Sequence, residues 1–308
     1  MAGTFADIIE AAKKKAVKRR LAIPSPKKPD MKIISRAARE GLVVPLLVGD
    51  GKAAEALVKK SALQSLEHEI IDVKDAGGSL RAAVALVREG RADMLMQGAA
   101  DLKTFMNTVL DAKTGLLKDK LASYISVFQL PKIDKLILVT DTFVNNYPGV
   151  TEKRLILEQA VKLAGLLGIE APKVAVLAAI EQVNPSIPST LDAAVLSKMS
   201  ERKQFGNAVV EGPLDIDCAL SHVAAGRKGI KSVVTGNVDI YLVPDIESGY
   251  PLAQSLVFIG RMEMAGVLMG VTKPVILNLP FVSRENRLVE IALACLNCGG
   301  GVRVKSEE

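Results

Sequence analysis

Short β-branched or aliphatic runs alternate with longer amphipathic stretches along most of this 308-residue chain, and that alternation narrows the possible folds more than any other feature. The runs fall at residues 43–48, 69–73, 93–96, 135–139, 173–177, 207–210, 239–243 and 274–277. Between them, segments such as 79–89, 151–167 and 190–199 carry apolar residues at helical spacing. Strands and helices in regular alternation build βαβ units, so the expected class is α/β with mainly parallel sheets. The chain is longer than one hydrophobic core usually supports, and two domains are expected. With no Trp and 4% aromatic residues the core must be aliphatic, and 24 glycines suit parallel strands covered by helices on both faces.

Polar residues gather just after the expected strands. They include Gln97-Gly98 to Asp101, Thr140 to Thr142, Glu181 to Thr190, Glu211-Gly212-Pro213, Pro244 to Gly249 and Asn278 to Pro280. Ligands of open parallel sheets bind at the carboxyl ends of strands, so this distribution predicts a ligand cleft there. The competing reading is that connecting loops are polar in any protein.

The net charge is +6, with Lys13, Lys14, Lys15, Lys18, Arg19, Arg20, Lys27 and Lys28 crowded near the N-terminus. Phe5, Ile8, Ile9 and Ala12 recur beside them at helical spacing, which reads as a helix with a solvated basic face. A nucleic-acid or anionic-cofactor patch is the other reading, but no aromatic residues interleave to stack bases. No nucleic-acid partner is expected. The N-terminus lacks the apolar core of a signal peptide. The apolar stretch 252–282 is broken by Arg261, Glu263 and Lys273, so no membrane span is expected either. Three cysteines give no disulfide framework and suit a reducing, cytoplasmic setting. Cys295 and Cys298 form a lone C-x-x-C with no second pair to complete a zinc site, and read as a structural pair on a helix. No metal site is expected.

Only two histidines occur, His68 and His222, both in helix-like contexts outside the post-strand loops. A histidine-based nucleophile triad is therefore disfavoured. No G-x-x-x-x-G-K-[ST] loop is present, which argues against ordinary NTP hydrolysis. Gly49-Asp50-Gly51-Lys52 opens a helix and reads as a capped turn, with phosphate binding as the alternative. The loop from Asn184 to Asp192 is stiffened by Pro185 and Pro188. It delivers Ser189 and Thr190 to a helix start, where a hydroxyl either caps the helix or stands beside N–H groups that attract an anion. Glu211, Asp215, Asp217, Asp245 and Glu247 also follow strand ends, and with no histidine in place any general base is expected among them.

At these residues the sequence resembles the phosphate acetyl/butyryltransferase family. The resemblance runs through residues 173–194 (KVAVLAAIEQVNPSIPSTLDAA), 211–217 (EGPLDID) and 239–249 (DIYLVPDIESG). It continues upstream at 45–50 (PLLVGD) and from Thr114-Gly115 to Pro131, and spans nearly the whole chain in order, nearer the butyryl branch.

The resemblance implies two α/β domains of the isocitrate/isopropylmalate dehydrogenase-like kind with a cleft between them. Expected boundaries are 1–142 plus 279–308 for the first and 143–278 for the second. The implied reaction is reversible transfer of a short acyl group, butyryl or acetyl, between coenzyme A and inorganic phosphate. Acyl-CoA, phosphate and acyl phosphate are its small-molecule partners, coenzyme A is a substrate, no cofactor is permanently bound, and the chain is a homodimer. The catalytic residues it implies are Ser283, Arg284 and Asp245. The substrate-binding residues are Asn184, Ser189, Thr190, Gly212, Asp217, Glu247, Ser126 and Asn278.

Two departures accompany it. Family members commonly read Thr-Ser-Arg-Ala-Asp-Ser after the last strand; here Asn278, Leu279 and Pro280 take the first three positions and Val282 that of the Asp. Ser283-Arg284 follows four residues later. Either the loop is re-registered so that this pair substitutes, or the phosphate contacts are lost. Asp101-Leu102 and Asn107 stand where the family carries a hydroxyl pair and an Arg. The alternative function is therefore a relative that binds CoA or acyl-CoA as a regulatory or accessory protein. A metal-dependent dehydrogenase of the same fold lacks a ligand pattern here. Leu279, Phe281 and Val282 suggest a more apolar cleft or, equally, a hydrophobic plug.

Overall fold

A computed structural model describes residues 2–15, 17–75, 77–118 and 120–298. The chain opens with α1 (Phe5–Lys14), β1 (Arg19–Pro24), α2 (Asp30–Arg39), β2 (Val43–Gly49), α3 (Gly51–Lys59) and a 3-10 turn at Ala62–Ser65. β3 (Glu69–Asp72), α4 (Gly78–Arg88), β4 (Met94–Met96) and α5 (Leu102–Val109) follow. The middle contains β5 (Ser123–Gln129), β6 (Leu136–Thr140), α6 (Val150–Leu166), β7 (Lys173–Leu177), α7 (Pro188–Glu201) and β8 (Val209–Leu214). Next come α8 (Ile216–Leu220), α9 (His222–Arg227), β9 (Ile240–Leu242), α10 (Ile246–Phe258) and β10 (Glu263–Met269), before β11 (Val275–Ile276) and α11 (Arg287–Asn297).

Two compact units result. The terminal unit comprises Phe5–Lys120 and Val271–Glu308; the mid-chain unit comprises Met1–Thr4 and Leu121–Gly270. The terminal unit orders its strands β3-β2-β1-β4-β11. Every pair among them is parallel. β2, β4 and β11 are near-continuous apolar runs because both faces are covered, whereas the edge strand β3 is only half-buried. The mid-chain unit orders its strands β10-β5-β6-β9-β7-β8. Here β5 runs antiparallel to both β10 and β6, while β6, β9, β7 and β8 are mutually parallel.

The α/β class and the predominance of parallel pairing agree with the sequence. Each expected strand overlaps a strand of the structure, and β1, β5 and β10 are additional. β1 starts on Arg19-Arg20 and ends on Pro24, which leaves too short an apolar run to signal a strand. β10 lies inside the long apolar stretch, where period alone cannot separate strand from helix. Its Gly266 is required by close approach: a Cβ there would stand 2.0 Å from the Tyr124 hydroxyl of β5. Because β5 pairs with β10 and β6 with β9, the units divide at 120/121 and 270/271 rather than at the expected 142/143 and 278/279.

α1 buries Phe5, Ile8 and Ala12 and turns lysines outward, as its spacing indicates. Cys295 lies on α11 and Cys298 caps its end, their thiols donating to the Leu42 and Asp93 carbonyls. Burial pushes Cys295 up to about 12 and Cys298 up to about 11, so neither is a ready thiolate. His222 opens α9, but His68 precedes β3 in an extended loop, its ring nitrogen 2.8 Å from the Leu66 carbonyl. Among the described residues no helix is long and apolar enough to cross a membrane.

Candidate functional site

In the terminal unit the chain leaves β4 and β11 side by side. Gly98 permits this turn, since a Cβ there would fall 1.7 Å from the Pro24 carbonyl. The Gln97 side chain accepts from the Asn278 backbone N–H at 2.8 Å, and Asn278 Nδ2 donates to the Gln97 carbonyl at 2.8 Å. This reciprocal clamp leaves Asn278 Oδ1 buried without a partner. Asn278 borders a hollow of about 400 Å³ whose cations are Lys27, Lys32, Arg36, Arg284 and Arg287, with Asp30 and Glu285 the only carboxylates on its wall. Five cations against two carboxylates, with Arg36 also paired to Glu40 at 2.9 Å, leave the described wall net positive, and its arginines carry forked donors of the kind that match phosphate oxygens. The Ser283 oxygen accepts from the Asn286 backbone N–H at 3.1 Å, which fixes the turn into α11 and presents Arg284 at the surface.

Leu279, Phe281 and Val282 resolve differently. Leu279 is fully buried and the other two nearly so. They anchor the turn as a plug, each large side chain stabilising by roughly 1.5–3 kcal/mol, and add no apolar lining to the hollow. Asp101, at the family's hydroxyl position, is the N-cap of α5 and accepts from the Thr104 N–H at 2.9 Å. Gly49 to Lys52 is likewise a capped turn, with Asp50 accepting from Ala53 N–H at 2.7 Å.

The mid-chain unit has its own hollow of about 780 Å³ at the carboxyl ends of β7 and β9. Ser189, Asp215, Asp245, Glu247 and Ser248 supply its polar wall, with Leu177 and Val243 among its apolar residues. Asp245 caps α10, its Oδ1 accepting from the Ser248 N–H at 2.8 Å and the Ser248 hydroxyl at 2.5 Å. Glu247 accepts from the Tyr147 hydroxyl.

The remaining predicted residues are placed otherwise. Thr190 is fully buried and does not cap α7; Pro188 begins that helix and Ile187 precedes it. The Thr190 hydroxyl instead accepts from Asn184 N–H at 2.9 Å and lies 2.8 Å from the Ile187 carbonyl, holding the proline-stiffened loop closed. Asn184 Oδ1 accepts from Ser186 N–H, so the loop is self-tied. Ser126 is fully buried, its hydroxyl 2.7 Å from that of Thr142. Gly212 lies in β8, where a Cβ would stand 2.7 Å from the Val176 carbonyl, and its role is close packing. The Thr190 and Ser126 hydroxyls and Asn184 Oδ1 are thus already used within the scaffold.

Asp217 belongs to a cluster that sequence reading did not assemble. Lys228 Nζ reaches Glu181 at 2.7 Å, Asp217 at 2.9 Å and Asp215 more closely still. Donor atoms of Glu181, Asp215, Asp217 and Cys218 lie within 4.8 Å of one another, the spacing of a cation site, but the Lys228 ammonium already sits there. Lys228 holds the Glu181 carboxyl down at about 2, and burial pushes the Cys218 thiol up. A carboxylate lowered on folding stabilises fully above its ordinary value of 4.5 and ceases to do so as pH falls toward 2. Urea midpoints of the protein should therefore decline across that window. In Lys228→Met the window should flatten, with stability falling instead as pH rises above 4.5 and the unneutralised carboxylates ionise together.

These features define an α/β protein with a cationic hollow at the strand ends of one unit and a carboxylate-bearing hollow at those of the other. Residues 77–295 match the model of the family described as phosphate acetyl/butaryl transferase. The chain is 38% identical over 299 residues to a phosphate butyryltransferase of Clostridium acetobutylicum, covering 97% of this chain and 99% of that one. It is 37% identical to a phosphate acetyltransferase of Rhizobium meliloti, covering 84% and 82% of the two chains. A branched-chain phosphotransacylase from Enterococcus faecalis V583 superimposes with a TM-score of 0.78 at 26% identity, over 91% of this chain and 99% of that one. The chain belongs to the phosphate acetyl/butyryltransferase family.

Proposed function

We propose that this protein is a phosphate acyltransferase that moves a short acyl group, butyryl or acetyl, reversibly between coenzyme A and inorganic phosphate. The observation that carries the reading is the near-complete match to a phosphate butyryltransferase, in a chain whose Ser283-Arg284 turn borders a hollow with five cations. A phosphate oxygen attacks the thioester carbonyl, the C–S bond breaks, and CoA leaves as thiolate, giving acyl phosphate. In reverse the thiolate attacks and phosphate departs. In the terminal unit, Arg284 with Arg287, Lys27 and Lys32 holds the phosphate and offsets its charge, and Ser283 keeps an O–H to donate. In the mid-chain unit, Asp245 takes the thiol proton, since the thiolate is the nucleophile. Ser189 and Glu247 border the remainder of the substrate, and Asn278 Oδ1 accepts a substrate N–H. The chemistry asks for no resident cofactor or metal.

The cytoplasmic setting is part of the proposal, supported by three free cysteines. So is the homodimer: Leu191 and Val195 on α7 and Leu220 and Val223 on α8 and α9 are exposed apolar side chains that a second copy would cover. A second reading, a CoA-binding relative without turnover, is favoured by the buried Leu279 and Val282 at the family's Ser and Asp positions. The test mixes protein, butyryl-CoA or acetyl-CoA, and phosphate, and follows free thiol. Phosphate-dependent turnover on the order of 1–10³ s⁻¹ is expected. Coenzyme A binding with no turnover on any short acyl chain would instead establish the second reading.

A further inference from the structure

Lys27, just before α2, and Lys32 and Arg36 on it line the hollow beside Arg284 and also border a second groove of about 880 Å³ between α2 and α3. Lys28, Arg39 and Lys60 border this groove alone. Arg36 is shared with Glu40, 2.9 Å away. Among the described residues, Lys27, Lys28, Lys32, Arg39 and Lys60 form no ion pair, and no carboxylate lines the groove. Its floor is apolar, supplied by Met31, Leu57, Ala53, Ala56 and Ala62. Ser35 opens onto it, 4% exposed, with a hydroxyl that has no hydrogen-bond partner.

Each element of this arrangement leaves something unsatisfied. A buried hydroxyl without a partner is unfavourable, and a ligand atom at that point would relieve it. Five unpaired cations around one concavity exceed what a single negative charge balances. A flat apolar body bearing several charges fits both the floor and the rim, and the volume lies in the range of small-molecule sites. A nucleic-acid strand does not fit, because no aromatic side chain lines the groove to stack successive bases.

We infer that the groove between α2 and α3 binds a nucleoside carrying more than one phosphate charge, its base over Met31 and Leu57 and its phosphates on the lysine rim. The same chemistry has two sources, the nucleotide end of a coenzyme or a free nucleotide. The inference does not depend on the proposed acyl transfer, which the thiol assay tests separately.

Calorimetric titrations of the full-length protein with adenosine 3′,5′-bisphosphate and with ATP test it. Saturable binding of at least one is expected, weakened at least tenfold in Lys28→Glu/Lys60→Glu and in Ala56→Trp. All three positions are at exposed sites, and circular dichroism checks that the variants fold. If CoA displaces the probe and the charge-reversed variant has a raised KM for CoA, the coenzyme is the source. If CoA does not displace ATP, the source is a free nucleotide. Absence of binding by both probes at about 5 mM, or unchanged binding in both variants, overturns the inference.

Discussion

Arg284→Ala is expected to lower kcat/KM for phosphorolysis of butyryl-CoA by about 10²–10³-fold, the usual consequence of removing one preorganised contact to a charge that changes in the transition state. Arg284 is exposed and makes no ion pair among the described residues, so the folded state does not depend on it. Melting should therefore be unchanged. Arg284→Lys keeps the charge but loses the planar fork and should fall between wild type and Ala. Steady-state thiol release with varied phosphate separates the two parameters, and the loss should include a raised KM for phosphate. Wild-type kcat/KM in the Ala variant would show that the Ser283-Arg284 turn does not replace the family's Ser-Arg pair.

Asp141→Ala should destabilise the protein by about 4–6 kcal/mol, more than any surface substitution. Asp141 is 2% exposed. Its Oδ1 accepts from the backbone N–H groups of Tyr124 at 3.1 Å, Phe143 at 2.9 Å and Val144 at 3.1 Å. Its Oδ2 accepts from the Asn145 backbone at 3.0 Å and side chain at 2.5 Å. Burial pushes this carboxyl up, and the converging N–H groups work against that. Truncation removes the acceptor of four backbone N–H groups, while Asn145 Nδ2 keeps the Ala122 carbonyl at 2.8 Å, and each buried orphan costs about 1–3 kcal/mol before relaxation. Asp141→Asn, which retains one acceptor, should lose roughly half as much. Denaturant titration of the three proteins is the measurement, and a loss below about 1 kcal/mol for the Ala variant would mean that water reaches the turn after β6.

The same residue shows how the polar loops divide. Thr140-Asp141-Thr142, Asn184 to Thr190 and Gly212-Pro213 all stood after strands, where ligands bind. Asp141 and Thr190 turn inward and build the loops, whereas Ser189, Asp245 and Glu247 line the mid-chain hollow. Position along the chain was common to both groups, and only the direction of each side chain separated them. Lys228 belongs with neither in sequence: it lies 47 residues from Glu181, yet its ammonium pairs with three carboxylates. A signal was present in the run Glu211 to Asp217, whose paired Asp residues need a cation nearby.

Local sequence determined what local physics decides. Apolar runs of four to six residues between amphipathic stretches dictate strands buried on both faces, hence parallel α/β pairing. The lone C-x-x-C on an apolar helix and the spacing of Phe5, Ile8 and Ala12 were legible for the same reason. Tertiary structure decided what depends on partners distant in the chain. The antiparallel β5–β10 ladder joins Ser123 to Met269, the Gln97–Asn278 clamp spans 181 residues, and Leu279 and Val282 became a plug only because the core of the terminal unit surrounds them. An apolar side chain carries no mark of whether it will line a hollow or fill a core, since burial depends on what the rest of the fold brings against it.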